Sequence, residues 1–327
     1  MIFPLLLSLT AAILPTILYV LLFYWADRYE REPVWLAVVA FVWGAVPAIV
    51  VSLVGEQMLG LPFVDAPDSI TSSIIQGAVI APIVEELAKG LALLLIFLFV
   101  RHEFDGVLDG IVYGALIGFG FAMTENFFYF IGAYDAGGFT RLSVVIILRA
   151  VLFGLNHAFY TGLAGIGFGL ARTFRSPLAK IFWIGLGLTI AILTHSLHNL
   201  GAALAAFNLS GLGLSIVVAV AGIGLVVTAV VLAWQHERTC IRSELAEEVG
   251  TILSNDEYAQ LTERWHNPLR KSSKQARTQA DRMHLYVELA LRKYRLRHAD
   301  PGEAMTILQE LAQIRNQLAA TSAAASV

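Results

Sequence analysis

The chain has 327 residues, of which 57% are hydrophobic and only 14% are charged, and its mean hydropathy is +0.70. Soluble globular proteins carry about 25% charged residues, so this composition argues against a wholly soluble enzyme. The net charge of −3 gives no reason to expect a nucleic-acid partner, and the single cysteine, Cys240, excludes an intramolecular disulfide and a cysteine-rich metal site.

Seven stretches reach the roughly 20 mostly apolar residues that a helix needs to cross a bilayer. They are 3–25, 34–57, 75–100, 107–132, 143–171, 179–206 and 212–234. No Lys or Arg precedes the first stretch, so we interpret it as a retained helix and not as a signal peptide. The sequence therefore predicts an all-α, polytopic transmembrane helical bundle of about seven spans.

Charged residues divide the chain into two parts. Residues 1–234 hold 9 Lys or Arg and 13 Asp or Glu, whereas the much shorter 235–327 holds 13 and 12. We therefore expect a transmembrane domain over 1–234 and a charged, mostly helical tail over 235–327. The loops after spans one, three and five carry six Lys or Arg, whereas the loops after spans two, four and six carry only Arg141, which predicts an outside N-terminus and a cytoplasmic tail.

A few ionisable residues lie inside the apolar spans, where charge is costly and usually marks function. Counted from the same membrane face at ~1.5 Å per residue, four of them lie roughly 10 to 21 Å deep. These four are Glu85, Glu125, His157 and His195. We expect them to meet in one layer of the membrane. The groups near predicted span ends, interpreted as mostly structural, are Glu56, Asp109 and Arg149.

Two carboxylates and two imidazoles suit more than one chemistry. One is a general base with an oxyanion stabiliser acting on water. Another is a divalent metal site, such as zinc, held by Glu85, Glu125, His157 and His195 with an open position for water. The structural alternative is a buried polar network that only fixes helix packing.

Residues four apart add partners on the same helix faces. Lys89 shares a face with Glu85 and can neutralise one glutamate of the 85–86 pair. Asn199 shares a face with His195, which gives two donors for an oxyanion. A supporting polar patch on span four consists of Glu125, Asn126 and Tyr129.

Several of these motifs resemble those of the PrsW family of intramembrane proteases. Residues 81–90, APIVEELAKG, resemble its Glu-Glu-x-x-Lys motif, and 109–129 resembles its second motif with the ending Glu-Asn-x-x-Tyr. His157 in NHAFYTGLAGIGFGLAR and His195 in THSLHN are similar to its two histidine motifs, and the stretch DRYEREP over 27–33 is also similar.

The wider superfamily includes CAAX prenyl proteases and bacteriocin-processing enzymes, whose pattern of a Glu-Glu pair, Phe-x-x-x-His and His-x-x-x-Asn is present here. CAAX enzymes have an arginine one residue further from the Glu-Glu pair than Lys89 is here. The spacing in this sequence therefore favours the PrsW family. The resemblance implies that Glu85 and His157 activate water, with Glu86 beside them, while His195 and Asn199 steady the tetrahedral intermediate.

The resemblance also implies the biological setting. The substrate would be a membrane-anchored protein or peptide, such as an anti-sigma factor, and the location would be a bacterial cytoplasmic membrane. Two other functions remain open on the residues alone. A proton- or ion-coupled transporter would use the same groups as a relay, and a non-enzymatic scaffold would recruit partners through the tail.

Overall fold

The computed structural model describes residues 2–26, 32–61, 70–101, 103–263, 274–299 and 301–325. Every named element within these ranges is helical, which confirms the all-α prediction. Most of the stretch DRYEREP, residues 27–31, lies outside the described part. The described chain forms two compact units, divided between Val230 and Val231.

The first unit contains nine helices within its described residues. They are α1 (Ile2–Ala26), α2 (Val34–Trp43), α3 (Ile49–Gly60), α4 (Ile70–Ile75), α5 (Ala81–Phe99), α6 (Val107–Ile146), α7 (Asn156–Thr173), α8 (Pro177–Ala205) and the first part of α9 (Leu209–Ala246). Wider π-type turns join three helix pairs, at Gly44–Ala48, Gln76–Ile80 and Ile147–Leu152. Such turns are rare and occur often at functional sites.

Five helical segments in the described ranges are long and apolar enough to cross a membrane, so the chain is an integral membrane bundle. The expected count was about seven, and the difference has two physical causes. One segment, Val107–Thr173, has 67 residues and contains two of the expected stretches. The stretch 75–100 carries Glu85, Glu86 and Lys89, whose charges lower its hydropathy.

Glycines bring α6 and α7 into direct backbone contact. A Cβ atom on Gly110 would lie 2.1 Å from the carbonyl oxygen of Gly165, and one on Gly114 would lie 2.4 Å from that of Thr161. Both distances are far inside van der Waals contact, so only glycine allows this approach. The four-residue glycine spacing is typical of close helix packing in membranes.

Asp109 has the structural role that its position predicted. Its Oδ2 atom accepts hydrogen bonds from the backbone N–H groups of Asp105 and Gly106, both at 2.8 Å. These bonds fix the chain where it enters α6. A carboxylate is also favourable near the positive end of the helix dipole.

The second unit contains the end of α9 and three further helices: α10 (Asn255–Glu263), α11 (Lys274–His298) and α12 (Pro301–Ala325). Its core includes the fully buried Leu245, Tyr286 and Leu289. Lys293 makes ion pairs with Glu248 at 2.8 Å and Glu247 at 3.0 Å. This arrangement confirms the expectation that the charged part of the chain is mostly helical.

Candidate active site

A buried lysine lies between the two glutamates of α5. Lys89 and Glu86 are fully buried, and Glu85 is 5% exposed. The Nζ atom of Lys89 lies 2.5 Å from Glu86 Oε1 and 3.4 Å from Glu85 Oε2. A buried ammonium needs such partners because its desolvation is otherwise uncompensated. The expected pairing of Lys89 with the glutamates is therefore confirmed, with Glu86 as its nearer partner.

Glu86 also fixes the ring of His195 from α8. Its Oε1 atom lies 3.0 Å from Nδ1 of His195, and its Oε2 atom accepts a hydrogen bond from the Thr161 hydroxyl at 3.1 Å. Tyr160 stacks on the His195 ring with centroids 4.4 Å apart and an interplanar angle of 11°. The other ring nitrogen, Nε2, is left 3.9 Å from Glu85 Oε2.

Glu125 fixes the second histidine in the same way. Its Oε2 atom lies 2.9 Å from Nε2 of His157, so the opposite nitrogen, Nδ1, is directed towards Glu85 and Lys89. The distance from Nδ1 is 4.0 Å to Glu85 Oε2 and 3.2 Å to Lys89 Nζ. The four side chains expected to meet in one layer do meet, and they do so around Glu85.

Arg149 connects the whole polar patch of α6. Its guanidinium pairs with Glu125, donates from Nε to Asn126 Oδ1 at 2.8 Å, and lies 3.8 Å from the ring centroid of Tyr129. The sequence placed Arg149 near a span end with a mostly structural role. That interpretation misses its contact with the carboxylate that orients His157. The π-type turn Ile147–Leu152 carries Arg149 into the bundle.

A cavity of about 990 Å³ opens beside these residues within the first unit. Glu85 lines this cavity together with Glu125, His157 and His195, whereas Glu86 is fully buried behind it. The cavity is large enough to admit water to the glutamate and the two histidines. Further polar residues that line it include Glu56, Asn126, Tyr129, Arg149, Asn156, Tyr160, His198 and Asn199.

Asn199 and His195 both line the cavity, and the Asn199 amide also bonds to the main chain. The amide nitrogen of Asn199 donates to the carbonyl oxygen of Gly77 in the π-type turn before α5, at 2.9 Å. Asn156, which the sequence analysis did not select, is 3% exposed and contacts His198 and Tyr160. Its one sequence signal is its position directly before His157.

Comparison with known proteins decides the family. A family model described as PrsW family intramembrane metalloprotease matches residues 32–235. The chain belongs to the PrsW family.

Individual relatives agree with this PrsW assignment. Protease PrsW of Bacillus subtilis (strain 168) is 29% identical over 191 residues, which cover 58% of this chain and 80% of that protein. Protease PrsW of Geobacillus kaustophilus is 30% identical over 165 residues, covering 50% and 66% respectively. Protease PrsW of Halalkalibacterium halodurans is 29% identical over 191 residues, covering 58% and 81%. No solved structure gives a significant match.

Membership of the PrsW family makes this protein an intramembrane peptidase, as its motifs predicted. The transporter and scaffold alternatives are therefore set aside. PrsW proteins are described as metalloproteases, so the fit of a metal to the site matters. One donor atom from each of Glu85, Glu86, His157 and His195 lies within 4.8 Å of the others. The expected metal set had Glu125 in the place of Glu86.

The donor chemistry of this site fits a divalent metal. Glu125 and Glu86 contact one nitrogen of each histidine, which leaves His195 Nε2 and His157 Nδ1 turned towards Glu85 Oε2, with His157 Nδ1 also 3.2 Å from Lys89 Nζ. Their distances of 3.9 and 4.0 Å from that oxygen exceed the ~3.4 Å between ligands of a tetrahedral metal with bonds of ~2.1 Å, so the three side chains would have to draw together by about half an ångström to hold the ion. Carboxylates behind ligand histidines are typical of zinc sites.

Proposed function

We propose that this PrsW-family protein hydrolyses a peptide bond in a membrane-anchored protein or peptide, with water activated by Glu85 and His157. The observation that supports this most directly is the position of Glu85. It lines the cavity between the two histidines, while its neighbour Glu86 is buried behind it. A buried carboxylate that lines a cavity can reach a water molecule held there.

Hydrogen bonding supports Glu85 over Glu86 as the proton acceptor. Glu86 is within hydrogen-bonding distance of Lys89, His195 and the Thr161 hydroxyl. Glu85 has one contact of this kind, to Lys89 at 3.4 Å. Its oxygens are therefore more available to accept a proton from water. A general base must lie within hydrogen-bonding reach of the proton it removes, and Glu85 meets that condition from the cavity wall.

The other residues have distinct proposed roles. His157, oriented by Glu125 and Arg149, acts beside Glu85 on the attacking water, and His195, held by Glu86, faces the developing oxyanion. Asn199 assists there through the second N–H of its amide, because the first is donated to the Gly77 carbonyl. We propose that Lys89 keeps Glu86 charged and in place. Asn126 and Tyr129 hold the Arg149 guanidinium over Glu125.

The atoms that would hold a divalent metal such as zinc are Glu85 Oε2, His157 Nδ1 and His195 Nε2. A bound metal supplies Lewis acidity that polarises water and the peptide carbonyl. The ammonium group of Lys89, which lies 3.2 Å from His157 Nδ1 and 2.5 Å from Glu86 Oε1, would be kept beside Glu86 if such a cation were bound.

The proposed orientation in the membrane rests on the distribution of Lys and Arg, and the proposed location rests on the PrsW relatives. The positive-inside bias supports an outside N-terminus and a cytoplasmic tail over 235–327, with the protease domain in 1–234. The bacterial relatives support a bacterial cytoplasmic membrane. An anti-sigma factor is the substrate class that we propose, because its membrane anchor would bring the cleaved segment into the bundle.

The experiment is terminal-peptide mass spectrometry of membranes from cells that express the wild-type protein or Glu85→Gln at matched levels. New protein termini that appear with the wild type and not with Glu85→Gln are the expected result. Glu103→Gln is the matched control, because Glu103 is an exposed carboxylate that does not line the cavity, and it should give the wild-type termini. Identical termini in wild type and Glu85→Gln would refute the proposed function.

A further inference from the structure

Asn156 has a buried side-chain amide, of which only the nitrogen end has hydrogen-bond partners among the described residues. It begins α7, next to His157, and is 3% exposed. Its Nδ2 atom lies 3.1 Å from the Tyr160 hydroxyl and 3.1 Å from Nδ1 of His198. Its Oδ1 atom is buried and has no hydrogen-bond partner among the residues that the structure describes.

An unpaired amide oxygen of this kind requires an explanation. Native proteins pair nearly all buried polar atoms, because an unpaired one loses its hydrogen bond to water without replacement. The hydroxyl of Ser52, which also lines the cavity, is unpaired as well. A helical serine can rotate its hydroxyl to donate to a carbonyl of the preceding turn. The oxygen of Asn156 can only accept, so it needs a donor that comes from elsewhere.

The position of Asn156 places it beside the reacting groups. It lines the same cavity as Glu85, His157 and His195. Its partner Tyr160 stacks on the ring of His195, and its partner His198 packs edge-on against Phe153 at 4.7 Å. These aromatic contacts hold the amide rigidly on the cavity wall, as a binding group must be held.

A peptide substrate inside a membrane needs acceptors for its backbone N–H groups. Inside a bilayer every backbone N–H needs an acceptor, and a helix normally satisfies this need internally. Exposing a peptide bond to water requires local unwinding, which frees N–H donors in an environment without bulk water. A fixed carbonyl oxygen on the cavity wall accepts one of these donors at the moment it is released.

We propose that Asn156 Oδ1 accepts a hydrogen bond from a main-chain N–H of the substrate, adjacent to the bond that is cleaved. This role rests on the proposed peptidase function and adds a substrate-binding residue to it. It assigns Asn156 to recognition of extended backbone, independent of side-chain sequence. Tyr160 and His198 position the amide through its nitrogen end.

The test uses the full-length protein in phosphatidylethanolamine–phosphatidylglycerol vesicles and a synthetic peptide that spans a cleavage site mapped by the terminal-peptide experiment. In a series of such peptides, one backbone N–H at a time is replaced by an ester oxygen. We expect one ester near the cleaved bond to lower kcat/KM of the wild type about tenfold. In Asn156→Leu the same ester should change kcat/KM less than twofold.

Two further variants complete the design. Asn156→Asp keeps an oxygen acceptor and should retain the ester penalty. Asn316→Leu makes the leucine change at an exposed residue of α12 that does not line the cavity, and it should behave as the wild type. Absence of an ester penalty in the wild type refutes the inference without any variant, whereas assigning a penalty to Asn156 requires an Asn156→Leu protein that circular dichroism shows to be folded.

Two results would overturn the inference while the peptidase function stands: no ester penalty in the wild type, or the same penalty in wild type and Asn156→Leu. Absence of any Glu85-dependent cleavage would instead refute the proposed function itself, and the role of Asn156 with it. The two failures are therefore distinguished by whether the unmodified peptide is cut.

Discussion

Gly118 of α6 lies directly against the main-chain carbonyl of His157 on α7, and a Cβ atom at position 118 would be 2.3 Å from that oxygen. Gly118→Ala must therefore displace the backbone that carries His157. A displacement of about 1 Å at a reacting group can reduce catalysis about 100-fold. We expect a loss of that order in the initial rate of cleavage of the mapped peptide.

Gly185→Ala is the control for this glycine substitution. Gly185 lies on α8 in the same unit, and a Cβ atom there would meet nothing within 4 Å. The control should keep full activity. Equal rates for Gly118→Ala and Gly185→Ala would show that the α6–α7 contact does not position His157.

Arg149 and His157 share one oxygen of Glu125, so we predict that Arg149 is a positioning residue. Arg149→Gln should lower kcat about 10- to 100-fold with little change in KM, because His157 loses its fixed orientation while the substrate cavity remains. Arg149→Lys should recover only part of the activity, since a lysine lacks the planar fork that contacts Glu125 and Asn126 together.

Rescue of kcat by added guanidinium ion would distinguish a positioning role of Arg149 from a purely structural one. Guanidinium in the assay should partly restore kcat of Arg149→Ala and leave the wild type unchanged. A variant that has lost kcat through general unfolding would gain nothing from the added ion. An unchanged kcat in Arg149→Gln would contradict the positioning role.

The sequence predicted the residues that meet, because depth along straight helices depends only on residue count. Glu85, His157 and His195 converge as the depth argument required. Hydrogen-bond partners could not be predicted in the same way, because they depend on how each helix is rotated. Asn199 shares a face with His195 as expected, yet its amide bonds to Gly77 of a neighbouring turn.

The missed residues lie where the helix is irregular. Hydropathy shows 143–171 as one continuous apolar stretch, and nothing in that pattern reveals the π-type turn at Ile147–Leu152 or the new start of α7. That break brings Arg149 and Asn156 to the cavity. The span count is a different case, because the sequence does separate 107–132 from 143–171, and α6 is kinked between these two stretches at Gly137 and Gly138 within the 67-residue segment.

The metal content of purified variants should distinguish the role of Glu85 from that of Glu125. Glu85→Gln should abolish stoichiometric binding of a divalent metal such as zinc, because it removes a ligand oxygen. Glu125→Gln removes only the group that orients His157, so metal affinity should fall about 10- to 100-fold without being lost. Equilibrium dialysis of the purified protein followed by elemental analysis measures both. Similar affinity in wild type and Glu85→Gln would contradict the proposed ligand set.

Chelator treatment gives an independent check on the same site. Activity of the wild type should disappear on dialysis against a zinc chelator and return with added metal. Glu103→Gln should follow the wild type at every step, since Glu103 lies outside the cavity. Full activity after complete metal removal would favour the metal-free use of Glu85 and His157 as the base pair.

In the second unit, Lys293 holds the end of α9 to α11. Its Nζ atom donates to the Glu244 carbonyl at 3.0 Å and pairs with Glu248 and Glu247. Burial lowers the pKa of Lys293, but the hydrogen bonds with Glu248 and Glu247 outweigh it and raise the pKa above its usual value. This contribution to stability is therefore complete below about pH 10.4 and is lost as the pH rises through the higher folded value.

We predict that Lys293→Met destabilises α11 by about 1 kcal/mol at neutral pH, because the Glu244 carbonyl loses its side-chain donor and Glu248 keeps only Arg315, at 3.1 Å, as a cationic partner. Hydrogen exchange of α11 amides in the full-length protein measures the effect as faster exchange. Gln309→Met is the control, because Gln309 is exposed on α12 and should leave exchange unchanged. The difference between Lys293→Met and the wild type should narrow as the pH rises above about 10.4, the ordinary pKa of a lysine, and towards the higher pKa of Lys293 in the folded protein. A difference that stays constant with pH would show that Lys293 acts through the packing of its aliphatic chain and not through its ammonium group.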